Sequence, residues 1–200
     1  MKINGLIAGL ILTVLVPKGN YAQGKKEQDT LIYFREDSLL TEDLLRRFSD
    51  CREEPVASLL VEIGRSLVGT PYVSHTLENG IEEKLVVNLR ELDCTTFAEN
   101  CLALARTIRS GETQFGYFVR ELQHIRYRDG LRQGYLSRLH YFSEWIGNNV
   151  QKGLIAEPAA CFGSTLDVQV GFMYAHSGNY SVLSSNPELV PLLVKQEKII

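Results

Sequence analysis

The segment from Asp93 to Ile108 limits what this chain can fold into more than any other stretch of it. Phe97, Ala98, Cys101, Leu102, Ala105 and Ile108 recur at intervals of three and four, the spacing of one helical face. Ala103 and Leu104 widen that face until little of the circumference is left for water. Asp93, just before the run, is a residue type whose carboxylate satisfies orphan N–H groups at a helix start. The pattern predicts a helix from Cys94 to about Ile108, apolar enough to be surrounded by other elements.

Those other elements are also mostly helical. Leu44, Leu45 and Phe48 predict a helix over Thr41–Ser49. Pro55 suits the first turn of a second helix reaching Leu67, with Val56, Leu59, Leu60, Ile63 and Leu67 facing inward, and Gly69-Thr70-Pro71 ends it. Asn79-Gly80 is a turn pair, and Leu85-Val86-Val87-Asn88-Leu89 reads as a short strand. Helices are expected over Gln114–Ile125 and Ser137–Asn148, separated by Arg126-Tyr127-Arg128-Asp129-Gly130 and Gly134. Val168–Phe172 reads as a strand and Pro187–Lys195 as helical. Residues 23–40 are polar, then partly extended, and read as a lead-in. No repeat, low-complexity tract or linker divides the chain.

Lys2, the apolar run Leu6–Val16 and the sequence Asn20-Tyr21-Ala22-Gln23 read together as a secretory signal over residues 1–22, too short for a comfortable membrane span. No Cys follows the run, so lipid attachment there is not indicated. The expected location is the periplasm, with outer-membrane association left open and no stable membrane span in the mature chain. The formal net charge is −3 with both signs mixed. Nucleic acid is thereby excluded as a partner, because phosphate binding needs a concentrated positive face. Among the four cysteines, Cys94 and Cys101 cannot pair. Seven helical positions rise about 10.5 Å, beyond the Cα separation of about 7 Å that a disulfide tolerates. A Cys51–Cys161 bridge stays open.

Cys94 at the first helical position meets unpaired N–H groups and the positive end of the helix dipole, which favour a thiolate. The same donors can stabilise the oxyanion of an acyl-transfer intermediate. Against this, Asp93 brings a like charge, and a cysteine at a helix start is often only a small buried hydrophobe. Cys101, two turns along the apolar face, reads as packing. A thiol nucleophile needs a base, usually a histidine. Of His75, His124, His140 and His176, His140 sits in the aromatic-rich Ser137-Arg138-Leu139-His140-Tyr141-Phe142 and is the best internal partner, a structural role being equally open. His75, close to Tyr72, is placed to line a substrate groove. No HExxH, CxxC or dense His/Asp cluster occurs, so neither metal nor cofactor is expected.

The block Leu89-Arg90-Glu91-Leu92-Asp93-Cys94-Thr95-Thr96-Phe97-Ala98-Glu99-Asn100 resembles the NlpC/P60 cysteine peptidase superfamily. Together with Gly69-Thr70-Pro71-Tyr72 and the stretch from Ile125 to Ile146, it looks more narrowly like the N-acetylmuramoyl-L-alanine amidase-like family common in Bacteroidetes. The resemblance covers roughly residues 55–200. It implies an α+β, papain-like fold in which a helical layer carrying the nucleophile packs on an antiparallel sheet. The implied substrate is peptidoglycan or a muropeptide, cut between N-acetylmuramic acid and L-alanine through a thioester. On that resemblance Cys94 is the nucleophile and Tyr72 hydrogen-bonds near the thiol or the intermediate. Arg126, Arg128, Ser137, Arg138 and His140 fall in a helical insertion around residues 110–185. There an arginine can pair with a stem-peptide carboxylate, solvated surface arginine being the equally open alternative.

The family's catalytic histidine stands on a strand after the nucleophile helix, in a Ser-His-Val-Gly type of setting that neither His140 nor His176 has. The chain is therefore expected to be a partial amidase domain over residues 41–200, truncated from a longer protein, with most of the sheet absent and little activity by itself. The rival readings are a stem-peptide endopeptidase, a non-catalytic peptidoglycan-binding remnant, and a transglutaminase or acyltransferase that resolves the thioester with an amine.

Overall fold

The structure, a computed structural model, describes residues 31–156 and 170–197. The signal segment, Cys161 and the first part of the strand expected at 168–172 lie outside the described residues. The elements in chain order are β1 (Leu31–Ile32), α1 (Arg35–Arg47), α2 (Val56–Ser66), β2 (Leu85–Val86), α3 (Cys94–Arg109), α4 (Phe115–Arg126), α5 (Phe142–Gln151), α6 (Phe172–Ala175), α7 (Ser181–Ser185) and α8 (Val190–Glu197). Helix dominates, and the strands among the described residues form one two-stranded sheet.

α3 is the axis of the packing. α1, α2 and α4 all lie against it, and Ala103, Leu104 and Ala105 are wholly shielded from water. Leu44 and Leu45 of α1, Leu59 and Ile63 of α2, and Phe118, Leu122 and Ile125 of α4 meet Leu102, Leu104 and Ile108 in one core. Each such side chain contributes about 1.5–3 kcal/mol by leaving water. Phe97, which the spacing placed inward, is instead partly exposed, as is Val56 of α2. Both stand in the first turn of their helices, and the covered part of the Phe97 ring lies against Gly64 of α2.

The stretch expected as a lead-in is built into the domain over its described part. Ile32 pairs with Val86, and α1 begins at Arg35, six positions before the expected start. The apolar spacing becomes visible only near Leu44. The first turn is fixed earlier by Asp37, whose carboxylate accepts the Phe34 N–H at 3.0 Å. β1 and β2 run parallel, in register Leu31↔Leu85 and Ile32↔Val86. Parallel pairing needs a long crossover, and α1 and α2 supply it.

The helix expected over Ser137–Asn148 starts only at Phe142. Residues 138–141 stay extended because Leu139 N–H donates to the Arg126 carbonyl at 3.0 Å and Arg138 bridges Tyr127 antiparallel, a tertiary pairing that overrides the local pattern. Phe172, expected at a strand end, opens the short helix α6, its ring stacked on His176 one turn on. Tyr135, Met173, Val182, Leu183 and Leu193 form a second, smaller core that joins α6, α7 and α8 to the segment before α5.

Candidate active site

The start of α3 is fixed by reciprocal bonds. The Asp93 carboxylate accepts Thr96 N–H at 2.7 Å, and Thr96 Oγ1 accepts Asp93 N–H at 2.9 Å. This capping arrangement leaves Cys94 at the first helical position with its thiol exposed, while Cys101 is buried and its thiol pushed up to about 11 by that burial. Cys51, Cys94 and Cys101 carry free thiols. The loop before Cys94 is in turn tied to the segment that carries Tyr72. Leu92 N–H donates to the Pro71 carbonyl at 3.0 Å, and Val73 N–H donates to the Leu92 carbonyl at 3.1 Å. Tyr72 therefore stands one short bridge away from the nucleophile loop, 73% exposed.

A groove of about 260 Å³ opens beside this helix start. Asp93, Thr95, Thr96 and Glu99 of the α3 region form one wall, and Ser74, His75 and Glu78 another. Arg138, Leu139, His140 and Tyr141 close it from the α4–α5 connection, with Met173 and Tyr180 above. His75 holds a left-handed backbone with φ +61°, which non-glycine residues seldom adopt and which marks strain at functional sites.

The three arginines expected to face substrate are each engaged with glutamate. Arg126 is 1% exposed: its Nε donates to Glu99 at 2.7 Å and its Nη1 to the Val86 carbonyl at 2.5 Å. It is neither surface arginine nor open to a ligand. Arg128 pairs with Glu144, and buried Arg138 pairs with Glu78 and lies 3.7 Å from Glu83. Of the three, only Arg138 lines the groove. Ser137 lies outside it, its hydroxyl donating to the Gly134 carbonyl and accepting Gln133 N–H in a turn. The glutamates were missed in the sequence. For Glu99 the signal was there, a charge inside an otherwise apolar helical run.

His140 Nε2 donates to the Tyr135 carbonyl at 2.9 Å, which leaves Nδ1 as an acceptor. Burial, then the neighbouring Arg138 charge, pushes its imidazole down to about 3. A base that weak is poorly matched to neutral pH. His176 hydrogen-bonds the Phe172 carbonyl at 2.9 Å. None of the four histidines hydrogen-bonds the Cys94 thiol. Among the described residues no cluster of three or more His, Cys, Asp or Glu is arranged for a metal, and no helix is long and apolar enough to cross a membrane.

Comparison with known proteins adds a lineage to this geometry. Residues 62–200 match the family described as AmiA-like, N-acetylmuramoyl-L-alanine amidase-like. A solved Bacteroides fragilis structure, carrying the provisional name of a xylanase, shares 42% identity at a TM-score of 0.64, over 69% of this chain and 61% of its own. An N-acetylmuramoyl-L-alanine amidase from Bacteroides uniformis, solved at 1.15 Å, shares 35% identity at a TM-score of 0.66, over 72% of this chain and 60% of its own. A further Bacteroides uniformis structure of that description shares 37% identity at a TM-score of 0.65, over 70% and 60%. The chain thus spans about 60% of the length of the structures it matches. No curated protein matches the sequence.

Proposed function

The chain belongs to the N-acetylmuramoyl-L-alanine amidase-like family, and on that premise we propose that it supplies the nucleophile and substrate groove of an exported cell-wall amidase of NlpC/P60 type. The observation that carries this reading is Cys94, a free and exposed thiol on the first residue of a capped, largely buried helix, between the groove-lining residues Asp93 and Thr95. In the proposed reaction the Cys94 thiolate attacks the lactyl carbonyl of N-acetylmuramic acid. The carbon–nitrogen bond breaks, L-alanine leaves as an amine after taking up a proton, and water then hydrolyses the thioester to regenerate the thiol. In this scheme first-turn N–H groups of α3 other than that of Thr96, which Asp93 occupies, stabilise the tetrahedral oxyanion, and Tyr72 approaches from the bridged segment.

The base in this scheme is a strand-borne histidine of the kind the family resemblance implies, contributed by the whole protein. His140, already bonded to a carbonyl and held neutral, serves as a groove wall. His75 and Arg138 are the other groove residues proposed to meet substrate. A glycosidase reading, suggested by the name of the Bacteroides fragilis relative, needs a pair of free carboxylates. The three that line the groove are engaged: Asp93 as a cap, Glu99 with Arg126 and Glu78 with Arg138.

Product masses from a defined muropeptide test the proposal. The whole protein is expected to release an intact stem peptide from the sugar, and Cys94→Ala to release nothing. Cleavage inside the stem would make it an endopeptidase, and equal binding without turnover by both proteins would make it a binding module. The 200-residue chain alone is expected to bind without turnover. Rapid hydrolysis by it would instead assign His140 as the base.

A further inference from the structure

Asp37 is a wholly buried carboxylate on α1, outside the stretch that matches the family, and yet its bonds converge on the approach to Cys94. Oδ1 accepts Leu89 N–H at 3.0 Å and Arg90 Nε at 3.0 Å. Oδ2 accepts Phe34 N–H at 3.0 Å and Arg90 Nη2 at 3.3 Å. The Arg90 guanidinium also lies 4.4 Å from the centre of the Phe34 ring. Two backbone amides and a forked guanidinium satisfy both oxygens, which is how a buried charge becomes tolerable.

The residues it grips lead directly into the site. The Asn88 carboxamide oxygen accepts Arg90 and Glu91 N–H at 3.0 and 3.1 Å, tightening the turn, and Leu92 then pairs with the Tyr72 strand. One residue later Asp93 caps α3. A single acid on α1 thus fixes the turn from which both Tyr72 and Cys94 are registered.

We propose that Asp37, through Arg90 and the Leu89 amide, is a positioning residue that sets the alignment of Cys94 with the Tyr72 strand, which makes residues 31–47 part of the catalytic apparatus. The inference rests on the reading of Cys94 as nucleophile. Without the brace the 88–93 turn is free to shift against the Pro71–Val73 strand, and the thiol loses its fixed relation to the donors around it.

The test is the pH dependence of Cys94 alkylation by iodoacetamide, resolved by peptide mass, in the wild type, Asp37→Asn, Arg90→Met and Arg90→Lys. In the wild type the Cys94 profile and muropeptide turnover report on the nucleophile reading itself, and only the change between variants reports on the brace. Asp37→Asn and Arg90→Met are each expected to move the midpoint of the Cys94 profile or to lower its plateau rate roughly tenfold, with far-UV circular dichroism and Cys51 alkylation unchanged. Arg90→Lys, which keeps the charge and one donor, is expected to restore part of the wild-type profile. Arg90 is partly exposed, so its variants remain readable if Asp37→Asn fails to fold. A wild-type Cys94 profile in folded Arg90→Met would overturn the proposal, as would equal loss in Arg90→Lys and Arg90→Met.

Discussion

Two stretches of chain face each other across the groove and are held by opposite means. Residues 93–109 are organised mainly by neighbours: the Asp93–Thr96 cap and an apolar helix face act within a few positions. Residues 126–141 have local turns at Gly134–Ser137 but lean on distant partners for their charged side chains. Arg126 finds Glu99 across 27 positions, Tyr127 finds Glu83 across 44, and Arg138 finds Glu78 across 60. The first stretch is a local code with a buried apolar core behind it, and the second is a set of charges assembled from distant pieces. Arg128, Arg138 and Tyr135 keep a buried Nε or hydroxyl without a hydrogen bond, as does the Asn100 carboxamide oxygen within α3, whereas the α3 start leaves no such atom in Asp93 or Thr96. A locally capped site is robust, and an ionic wall depends on every partner being present.

The sharpest way to break that contrast is Arg126→Ala, which strands the Glu99 charge in the interior. A loss of about 3–5 kcal/mol is expected in urea unfolding. Arg126→Met combined with Glu99→Gln should recover much of it, since no bare charge then remains. If Arg126→Ala proves neutral, the wall is not ionic in the sense described.

Acid is the next lever. His140 is held down to about 3 by burial, while an unfolded histidine titrates near 6.5. Between those values the unfolded chain binds a proton that the folded chain refuses, so this contribution is intact above about pH 6.5 and is lost as pH falls toward 3. Urea midpoints at pH 7, 5 and 4 should fall more steeply in the wild type than in His140→Gln, and parallel slopes would count against a buried neutral imidazole.

Smaller effects sharpen the other side. Asp93→Ala removes the α3 cap and should cost about 1 kcal/mol, with a visible change in Cys94 alkylation and none at Cys51. Asp43→Ala, which opens an exposed i,i+4 pair with Arg47, should cost at most about 0.5 kcal/mol. A larger loss there would mean that α1 depends on surface charge more than on Asp37.

The same contrast explains what could be read from the sequence. The α3 boundaries, the Asp93 cap, the position of Cys94 and the breaks at Gly130 and Gly134 follow from near neighbours, and the structure has them. The ion pairs around Arg126, Arg128 and Arg138 do not, because no local pattern tells a buried arginine from a surface one. Residues 138–141 were expected in a helix for the same reason: their pairing with Arg126 and Tyr127 is tertiary. Asp37 went unread because its partners, Leu89 and Arg90, lie 52 and 53 positions away.

Labelling by a muropeptide analogue with a chloroacetyl group at the lactyl position asks whether Cys94 is a nucleophile served by this groove. The thiolate displaces chloride without needing the catalytic base. Cys94 is expected to be labelled to one equivalent, at a rate that saturates with probe and falls when unmodified muropeptide competes, while Cys51 stays free. Labelling of Cys94 that neither saturates nor responds to competitor, at a rate matching Cys51, would contradict that role.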